Sequence, residues 1–446
     1  MRRMIIISLT LLISMIYADQ VTIYNDNFAL IRTNLEIKLE KGIQDYYHQD
    51  IPSTIEPVSV IIKPLSGKLN IFSQNYEYDL ANTGKILEKY IGKKVSIMTN
   101  TDNKFSGILQ FNDYDMIGLI DENTSELNLV KASEIRNINL EKLPDNFYLK
   151  PTLHWELNTN KKDTYPLEFS YICHGMQWYV TYNGVWNDEE DELEINSWVT
   201  ISNKTGKAYE DSKLKLVAGE VAKISRDDYK KGRLETAISI QGDRVFEPEF
   251  EEKSFHDFHL YTLSENVTIN NNQTKQLRLF PTTKISAGSK YEYITNTDKI
   301  LSKIEFKNSE KNNLGMPLPR GIFKLYKLDE ADDNLEFIGE DNIDHTAKNE
   351  EVSLTTGFAF DLIGETVLVD QRREGKNTHE RDYKVILKNM SSKNKVINVI
   401  HNLHGFWMIK NNNLDYEEKG NNQIEFEKEL KAGQIFEIIW TDRIEY

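Results

Sequence analysis

Polar and apolar residues alternate along most of this chain. Apolar side chains occupy every second position from Leu35 to Leu39, and the pattern returns from Tyr383 to Leu387. A strand with this period places apolar side chains on the buried side of a sheet and polar side chains on the solvent-exposed side. Many short segments of this kind, with 22 Tyr, 19 Phe and turns rich in Asn, Asp and Gly, predict sandwiches or barrels. We therefore expect a mainly β, multi-domain β-sandwich architecture with few helices.

One stretch predicts a short helix followed by five strands. In LANTGKILEKYIGKK the apolar residues recur at helical spacing, Thr83 can cap the start and Gly92 can end the helix. Alternating segments follow at residues 95–98, 105–111, 116–120, 127–130 and 135–140. Such a compact series predicts an inserted small closed barrel of the Sm or SH3 kind, in which Gly107 permits a sharply bent second strand.

The length of 446 residues predicts more than one domain, because a single core rarely grows beyond about 250 to 300 residues. Shifts in pattern and charge along the chain suggest six units. These are a signal peptide (1–18), an N-terminal β region (19–82), the helix and small barrel (83–143), a central β-sandwich region (144–224), a charged linker or loop (225–255), and a continuing β region with a C-terminal sandwich (256–446).

The first residues predict export. Arg2 and Arg3 precede an apolar run from Met4 to Ile16, and the small residue Ala18 follows at a plausible cleavage point. The run is shorter than the ~20 apolar residues that cross a bilayer as a helix, so cleavage after Ala18 is favoured over an uncleaved anchor. We expect a periplasmic or extracellular protein with no membrane span after cleavage.

Charge and cysteine content limit the classes of binding partner and of covalent link that we expect. The formal charge is −16, with 70 acidic and 54 basic residues, which disfavours nucleic acid because that affinity depends on Lys and Arg contacts to phosphate. The single Cys173 excludes an internal disulfide, and its setting in YICHGMQWYV predicts a buried thiol. The acidic run from Asp188 to Glu194 predicts a solvated hairpin tip, with a cation site as the alternative.

Histidine and carboxylate patterns supply only weak candidates for chemistry. Two HxxH pairs, His256 with His259 and His401 with His404, have zinc-like spacing, but in a strand their side chains point to opposite faces. Asp344 beside His345 predicts a hydrogen-bonded turn rather than a catalytic pair. No nucleophile elbow, zinc helix or phosphate loop occurs, so the sequence assigns no catalytic residue, metal ligand or cofactor.

The densest aromatic group is WYVTYNGVW. In a continuous strand Trp178, Tyr182 and Trp186 share one side, with Tyr179 opposite. A row of such rings can stack on sugar faces, which makes Trp178, Tyr182 and Trp186 candidate glycan-binding residues. A sandwich core needs the same row, so the core is the competing interpretation.

Four segments resemble a bacterial exported family known only as a domain of unknown function, which includes mucoidy-inhibitor-A-like proteins. They are VTIYNDNFALIRTNLEIKLEKGIQDYYHQDIPSTIEPVSVIIKP; SYICHGMQWYVTYNGVW with INSWVTISNKTGKAYEDSKLKLVAGEV; FHDFHLYTLSENVTINNNQTKQLRLF; and FKLYKLDEADDNLEFIGEDNIDHTAKNEEVSLTTGFAFDLIGE. The resemblance implies an exported β-rich protein with a C-terminal sandwich and no established reaction. Some relatives carry a long coiled coil where this chain has its small barrel. Because the family is bacterial, the sequons at Asn203, Asn266, Asn272 and Asn389 are interpreted as polar turns.

The inserted stretch resembles the Sm-like fold, with Gly107, Leu109, Asp113 and Met116 at spacings close to that fold's first motif. Ile117 stands where the motif places a base-contacting Asn, and the Arg-Gly of the RNA pocket is missing. An apolar side chain cannot read a base edge, so we interpret the stretch as a spacer or protein-docking module.

Together these observations predict an exported, non-catalytic cell-envelope protein that binds or scaffolds an envelope protein or polysaccharide. The alternative is an enzyme or binder of envelope polysaccharide that uses clustered carboxylates and aromatic rings.

Overall fold

A computed structural model describes residues 18–78, 83–113, 115–141, 148–219, 221, 250–256, 258–329 and 331–446. The predicted signal peptide, apart from Ala18, and all but the last part of the predicted linker lie outside these ranges. The fold is mainly β, as the alternation predicts, with 65% of the described residues in strands and one α-helix among them. Within the described ranges, no helix has the length and apolar character that a membrane crossing needs.

Among the described residues the first half contributes fifteen strands and one α-helix. They are β1 (Gln20–Tyr24), β2 (Phe28–Leu39), β3 (Gly42–His48), β4 (Ile61–Pro64), β5 (Leu69–Glu77), then α1 (Thr83–Glu88), and β6 (Lys94–Thr99), β7 (Lys104–Asn112), β8 (Met116–Ile120), β9 (Leu127–Lys131), β10 (Ile135–Leu140), β11 (Thr152–Thr159), β12 (Asp163–His174), β13 (Met176–Asn187), β14 (Glu192–Asn203) and β15 (Tyr209–Ala218). Single 3-10 turns lie at Pro57–Ser59 and Ala132–Glu134.

The second half adds seventeen strands and a 3-10 turn at Glu310–Asn312. They are β16 (Phe250–Phe255), β17 (Phe258–Leu263), β18 (Val267–Ile269), β19 (Gln273–Arg278), β20 (Thr283–Ser286), β21 (Gly288–Ile294), β22 (Ile300–Lys307), β23 (Gly321–Asp329), β24 (Asn334–Ile343), β25 (Glu351–Phe358), β26 (Leu362–Arg373), β27 (Thr378–Asn389), β28 (Lys395–Asn402), β29 (Phe406–Asn412), β30 (Glu417–Glu418), β31 (Gln423–Leu430) and β32 (Ile435–Glu445).

The first sandwich is built from sheets that share one core. One sheet has the order β16-β17-β15-β1-β2-β12-β4 with β18 on β15, and the central sheet has the order β19-β14-β13-β23-β24 with β20 on β14. A three-stranded sheet, β3-β11-β5, closes one side, and one continuous set of buried apolar residues joins all three. The chain passes from β12 to β13 through Gly175, where φ is +85° and an added Cβ would lie 3.0 Å from the Lys204 carbonyl oxygen.

The second sandwich pairs the sheet β25-β22-β21-β28-β31-β30 with the sheet β26-β27-β32-β29 around the buried Trp440. Strand β22 belongs to both cores, because Ile300 packs in the second and Phe306 packs in the first. The two sandwiches are therefore joined by a shared strand as well as by the chain.

The small inserted sheet has the order β10-β6-β7-β8-β9 and its own core, which includes Leu109 and Ile117. Its strands lie where the alternation predicts them. The closed barrel is not confirmed, because β9 pairs only with β8 and β10 only with β6 among the described strands. Gly107 allows the close approach of β8, since an added Cβ would meet the Ile120 carbonyl oxygen at 2.2 Å.

The two sandwiches repeat one local arrangement. In the first, β1 pairs with β2 antiparallel and with β15 parallel; in the second, β21 pairs with β22 antiparallel and with β28 parallel. The strands that precede β15 and β28 end at the buried residues Asn203 and Asn389. Asn203 Oδ1 accepts hydrogen bonds from the backbone N and Oγ1 of Thr205, and Asn389 Oδ1 accepts the same pair from Ser391. The same hydrogen-bonded turn therefore connects β14 to β15 in the first sandwich and β27 to β28 in the second.

Candidate functional site

The three aromatic residues singled out in the sequence lie in the core of the first sandwich. Trp178, Tyr182 and Trp186 are at most 6% exposed, and the Tyr182 hydroxyl donates to the Pro319 carbonyl at 2.8 Å. The Tyr182 ring also stacks on Phe323 with ring centroids 5.5 Å apart, and burial raises the pKa of Tyr182 well above its usual value. The three side chains therefore pack in the sandwich core, as the competing interpretation predicts. Their rings are not accessible to a sugar in this structure.

The opposite side of β13 faces solvent. Tyr179 is 47% exposed there, which follows directly from the strict alternation along the strand. We use the name outer face for the solvent side of the central sheet around this residue. It consists of Tyr179, Thr181 and Asn183 on β13, Asn196, Trp198 and Thr200 on β14, Gln276 and Arg278 on β19, and Ile322 and Lys324 on β23. Trp198 is half-buried and Thr200 is buried under its neighbours on this side.

Strand register sets the spacing of this face. Tyr179 lies opposite Thr200, and Trp198 lies opposite Thr181, so the two aromatic residues are diagonal neighbours on adjacent strands. Diagonal neighbours of this kind have Cα atoms about 7 to 8 Å apart. The sheet therefore presents two aromatic side chains, held by a rigid scaffold, on one side.

Arg278 extends the aromatic surface. It pairs across the sheet with Trp198, and its guanidinium carbon lies 5.8 Å from the centre of the indole ring. This is a cation–π arrangement, which holds the indole in place and leaves the guanidinium donors at the edge of the face. Arg278 forms no ion pair with a described carboxylate.

The amide and hydroxyl groups of the outer face are partly paired with each other. Asn183 Nδ2 donates to Asn196 Oδ1 at 3.1 Å, and Gln276 Nε2 donates to Thr200 Oγ1 at 3.2 Å. Each amide has more hydrogen-bonding capacity than one such bond uses. The Asn183–Asn196 pair consequently keeps one donor and one acceptor group for a bound molecule.

The outer face has charges of both signs once its immediate neighbours are included. The ten residues that define it include Arg278 and Lys324 and no carboxylate, but Glu194 lies on the same side of β14, two residues before Asn196. Glu340 on β24 lies opposite Lys324. The acidic hairpin tip is at one end of the sheet, where Asp188 contacts Lys327 at 2.5 Å and Lys393 at 3.4 Å. The face itself is thus an aromatic and amide-rich surface with charges of both signs around it.

The predicted hairpin tip is confirmed, since β13 ends at Asn187 and β14 begins at Glu192. Lys327, more than Lys393, lowers the pKa of Asp188 through a side-chain hydrogen bond. The tip therefore connects β23 of the first sandwich to the turn before β28 of the second.

The predicted buried thiol is confirmed as well. Cys173 is fully buried and unpaired, and burial raises its pKa to about 11. A thiol in this setting is not a reactive nucleophile.

The histidines of the two HxxH pairs lie in different surroundings. His259 contacts Glu252 at 2.7 Å, and His256 lies at the turn before β17 with φ of +58°. His401 is buried, while His404 lies in the loop after β28. No group of three possible metal-binding side chains occurs in the described part of the chain.

One constellation that sequence spacing did not reveal surrounds His401. Its Nδ1 lies 2.8 Å from Thr295 Oγ1, and its Nε2 lies 3.4 Å from Asp442 Oδ2. Asp442 also accepts two hydrogen bonds from Arg381, at 3.0 and 2.7 Å. All but Arg381 are buried, so hydroxyl, imidazole and carboxylate here satisfy one another inside the second sandwich.

The remaining candidates form turns. Thr346 Oγ1 donates to the Asp344 carbonyl at 2.9 Å, and His345 Nδ1 accepts from the Arg320 backbone N at 3.1 Å, as the turn interpretation predicts. In the small sheet, Asp113 Oδ1 accepts from the Met116 backbone N at 2.8 Å, and Ile117 is buried.

No family model matches the chain, and no curated protein matches it. The outer face is therefore interpreted from its own chemistry.

Proposed function

We propose that this protein is an exported, non-catalytic cell-envelope protein that binds polysaccharide on the outer face of its central sheet. The observation that carries the proposal is the pair Tyr179 and Trp198, placed side by side on a rigid sheet and bordered by amide, hydroxyl and guanidinium groups. Aromatic faces cover the apolar faces of sugar rings, and neighbouring polar groups bond the hydroxyls. The signal-like first residues and the resemblance to an exported family support the compartment.

A glycan suits this surface better than a protein partner does. Partly paired amides such as Asn183 and Asn196 offer a donor and an acceptor close together, which matches the hydroxyls along a sugar chain. Stable protein interfaces usually have a water-excluded apolar centre with a polar rim. Here the apolar part of the face is small, because Tyr179, Trp198 and Ile322 are the only apolar residues among the ten that define it, and polar groups border the aromatic pair.

Trp198→Ala is the first test of the proposal. The full chain is purified, and its binding to cello-oligosaccharides, to chito-oligosaccharides and to polysaccharide extracted from the producing cells is measured by calorimetry. We expect Trp198→Ala to weaken binding at least about tenfold, which corresponds to about 1.4 kcal/mol, because both the indole and the position of Arg278 are lost.

Phe72→Ala is the matched control, because Phe72 is an exposed aromatic residue on β5, away from the outer face. We expect it to leave binding unchanged, and circular dichroism verifies that both variants fold. Equal affinities for the wild-type chain and folded Trp198→Ala would contradict the proposal. Binding of a protein partner, with no binding of any of these glycans, would contradict it as well.

A further inference from the structure

A separate depression lies at one end of the second sandwich. Its volume is about 400 Å³, and it lies where the loop between β25 and β26 meets the turn between β27 and β28. The lining residues that matter here are Tyr291, Phe358, Phe360, Asp361, Ser392 and Lys395. None of them belongs to the outer face.

Lys395 is the unusual group in this depression. It is half-buried, and its ammonium donates to the Tyr291 hydroxyl at 2.8 Å and lies 4.8 Å from the centre of that ring. Among the described residues no carboxylate lies within ion-pair distance of it, although the chain has 70 acidic residues. Neighbouring Lys393, by contrast, contacts Asp188 at 3.4 Å. An ammonium has three donors, so Lys395 retains capacity for an anionic group.

Two phenylalanine rings flank the same depression. Phe358 is 59% exposed and Phe360 is 97% exposed, so both expose most of their surface to water. Lys299 lies 4.8 Å from the centre of the Phe358 ring, in an adjoining depression that Asp298 also lines. Neighbouring exposed rings rimmed by polar and charged groups form the kind of contiguous apolar patch that marks a binding site.

Asp361 and Ser392 give the site a second kind of chemistry. A carboxylate accepts hydrogen bonds from hydroxyls, and a serine hydroxyl both donates and accepts. A ligand that fits all four features has a carboxylate for Lys395, a flat apolar surface for the rings, and hydroxyls for the Asp361 and Ser392 side chains. A sugar acid has this combination, whereas a peptide carboxylate lacks the hydroxyls.

We propose that this depression binds an acidic sugar unit, a pyranose that carries a carboxylate, within a polysaccharide chain. It extends the proposed function to the class of glycan but uses residues that the outer face does not share. The ammonium of Lys395 pairs with the carboxylate, and Phe358 and Phe360 cover the ring.

The test uses the full chain and a tetramer of galacturonic acid, with the tetramer of galactose as the neutral probe. We expect the acidic tetramer to bind more tightly than the neutral one, and high salt to weaken it because the ammonium contact is partly exposed. Lys395→Met, which keeps the length of the stem, should lower affinity for the acidic tetramer at least about tenfold. Phe360→Ala should weaken it too, and the near-complete exposure of Phe360 means that this variant folds.

Lys428→Met is the matched control, since the Lys428 ammonium also lies over a ring, 4.1 Å from the centre of Phe436, outside the depression. It should bind as the wild-type chain does. The proposal is overturned if the acidic tetramer does not bind, if Lys395→Met and Phe360→Ala both leave its affinity unchanged, or if a peptide with a free carboxyl terminus binds in its place. Trp198→Ala separates the two proposals, because it should leave binding of the acidic tetramer at this depression unchanged.

Discussion

The buried side chain of Asn203 is held by hydrogen bonds to both its amide nitrogen and its amide oxygen. Asn203 Nδ2 donates to the carbonyls of Lys207, Ile269 and Asn270, at 2.8, 3.3 and 3.1 Å. Its Oδ1 accepts from Thr205, so the side chain connects the end of β14 to the strand-turn region after β18. A buried carbonyl that loses its hydrogen-bond donor destabilises the folded state, because no water replaces the lost donor.

Replacement of Asn203 by Ala should therefore destabilise the first sandwich. We expect the free energy of unfolding to fall on the order of 3 kcal/mol, since several buried acceptors lose their donor at once. Urea denaturation followed by circular dichroism measures the change. Asn266→Ala is the control, because Asn266 is exposed, and a comparable effect of both variants would show that the buried network contributes little.

Some residues could be assigned from the sequence and others could not. Cys173 was predicted to be buried because it lies in an apolar run, and alternation placed Tyr179 opposite Trp178. Alternation does not say which side of a strand is the core, so the pairing of the exposed Tyr179 with the half-buried Trp198 was missed. Trp198 lies on another strand, and only the register of β14 against β13 brings it beside Tyr179.

The β13–β14 hairpin contributes side chains both to the core and to the proposed binding surface. One side of it supplies Trp178 and Tyr182 to the core, the other supplies Tyr179 and Trp198 to the outer face, and its tip carries Asp188. The carboxylate of Asp188 is held by Lys327 and Lys393, which come from different parts of the chain. The position of the hairpin thus depends in part on the ionisation of one side chain.

Acid should loosen the tip of this hairpin. The pKa of Asp188 is lowered in the folded protein, so its stabilising effect is present above the unfolded pKa and is lost as pH falls through the folded pKa. Urea denaturation from neutral pH to about pH 3 should show a smaller loss of stability in Asp188→Asn than in the wild-type chain.

Glu190→Gln is the control for this acid effect, because Glu190 is exposed at the same tip and forms no ion pair with a described residue. It should follow the wild-type curve. Parallel pH curves for the wild-type chain and Asp188→Asn would show that the Lys327 contact does not stabilise the fold.

Elements were easier to predict than their pairing. Strands β8 and β10 have the bounds that alternation gives, because each strand's period is local. The parallel pairing of β1 with β15 and of β13 with β23 joins segments far apart in sequence, and no local pattern encodes it. Closure of a sheet also depends on pairing. The five-stranded insertion was predicted to form a closed barrel, but its edge strands β9 and β10 do not pair with each other.

At the scale of the whole molecule, two sandwiches with a shared strand and a repeated turn carry the two proposed binding surfaces. The outer face belongs to the first sandwich and the depression at Lys395 to the second. Both include cationic side chains, although the chain has a formal charge of −16. Such an arrangement suits a protein that holds an extended polymer at two places along its length.

Side-chain footprinting tests the polysaccharide proposal most directly. Hydroxyl radicals oxidise exposed aromatic residues, and mass spectrometry measures the rate for Tyr179 and Trp198 with and without polysaccharide extracted from the producing cells, with Phe72 as the internal reference. We expect both rates to fall when the polysaccharide is present while the rate at Phe72 stays constant. Unchanged oxidation of Tyr179 and Trp198 under conditions in which the polysaccharide is bound would contradict the assignment of the outer face.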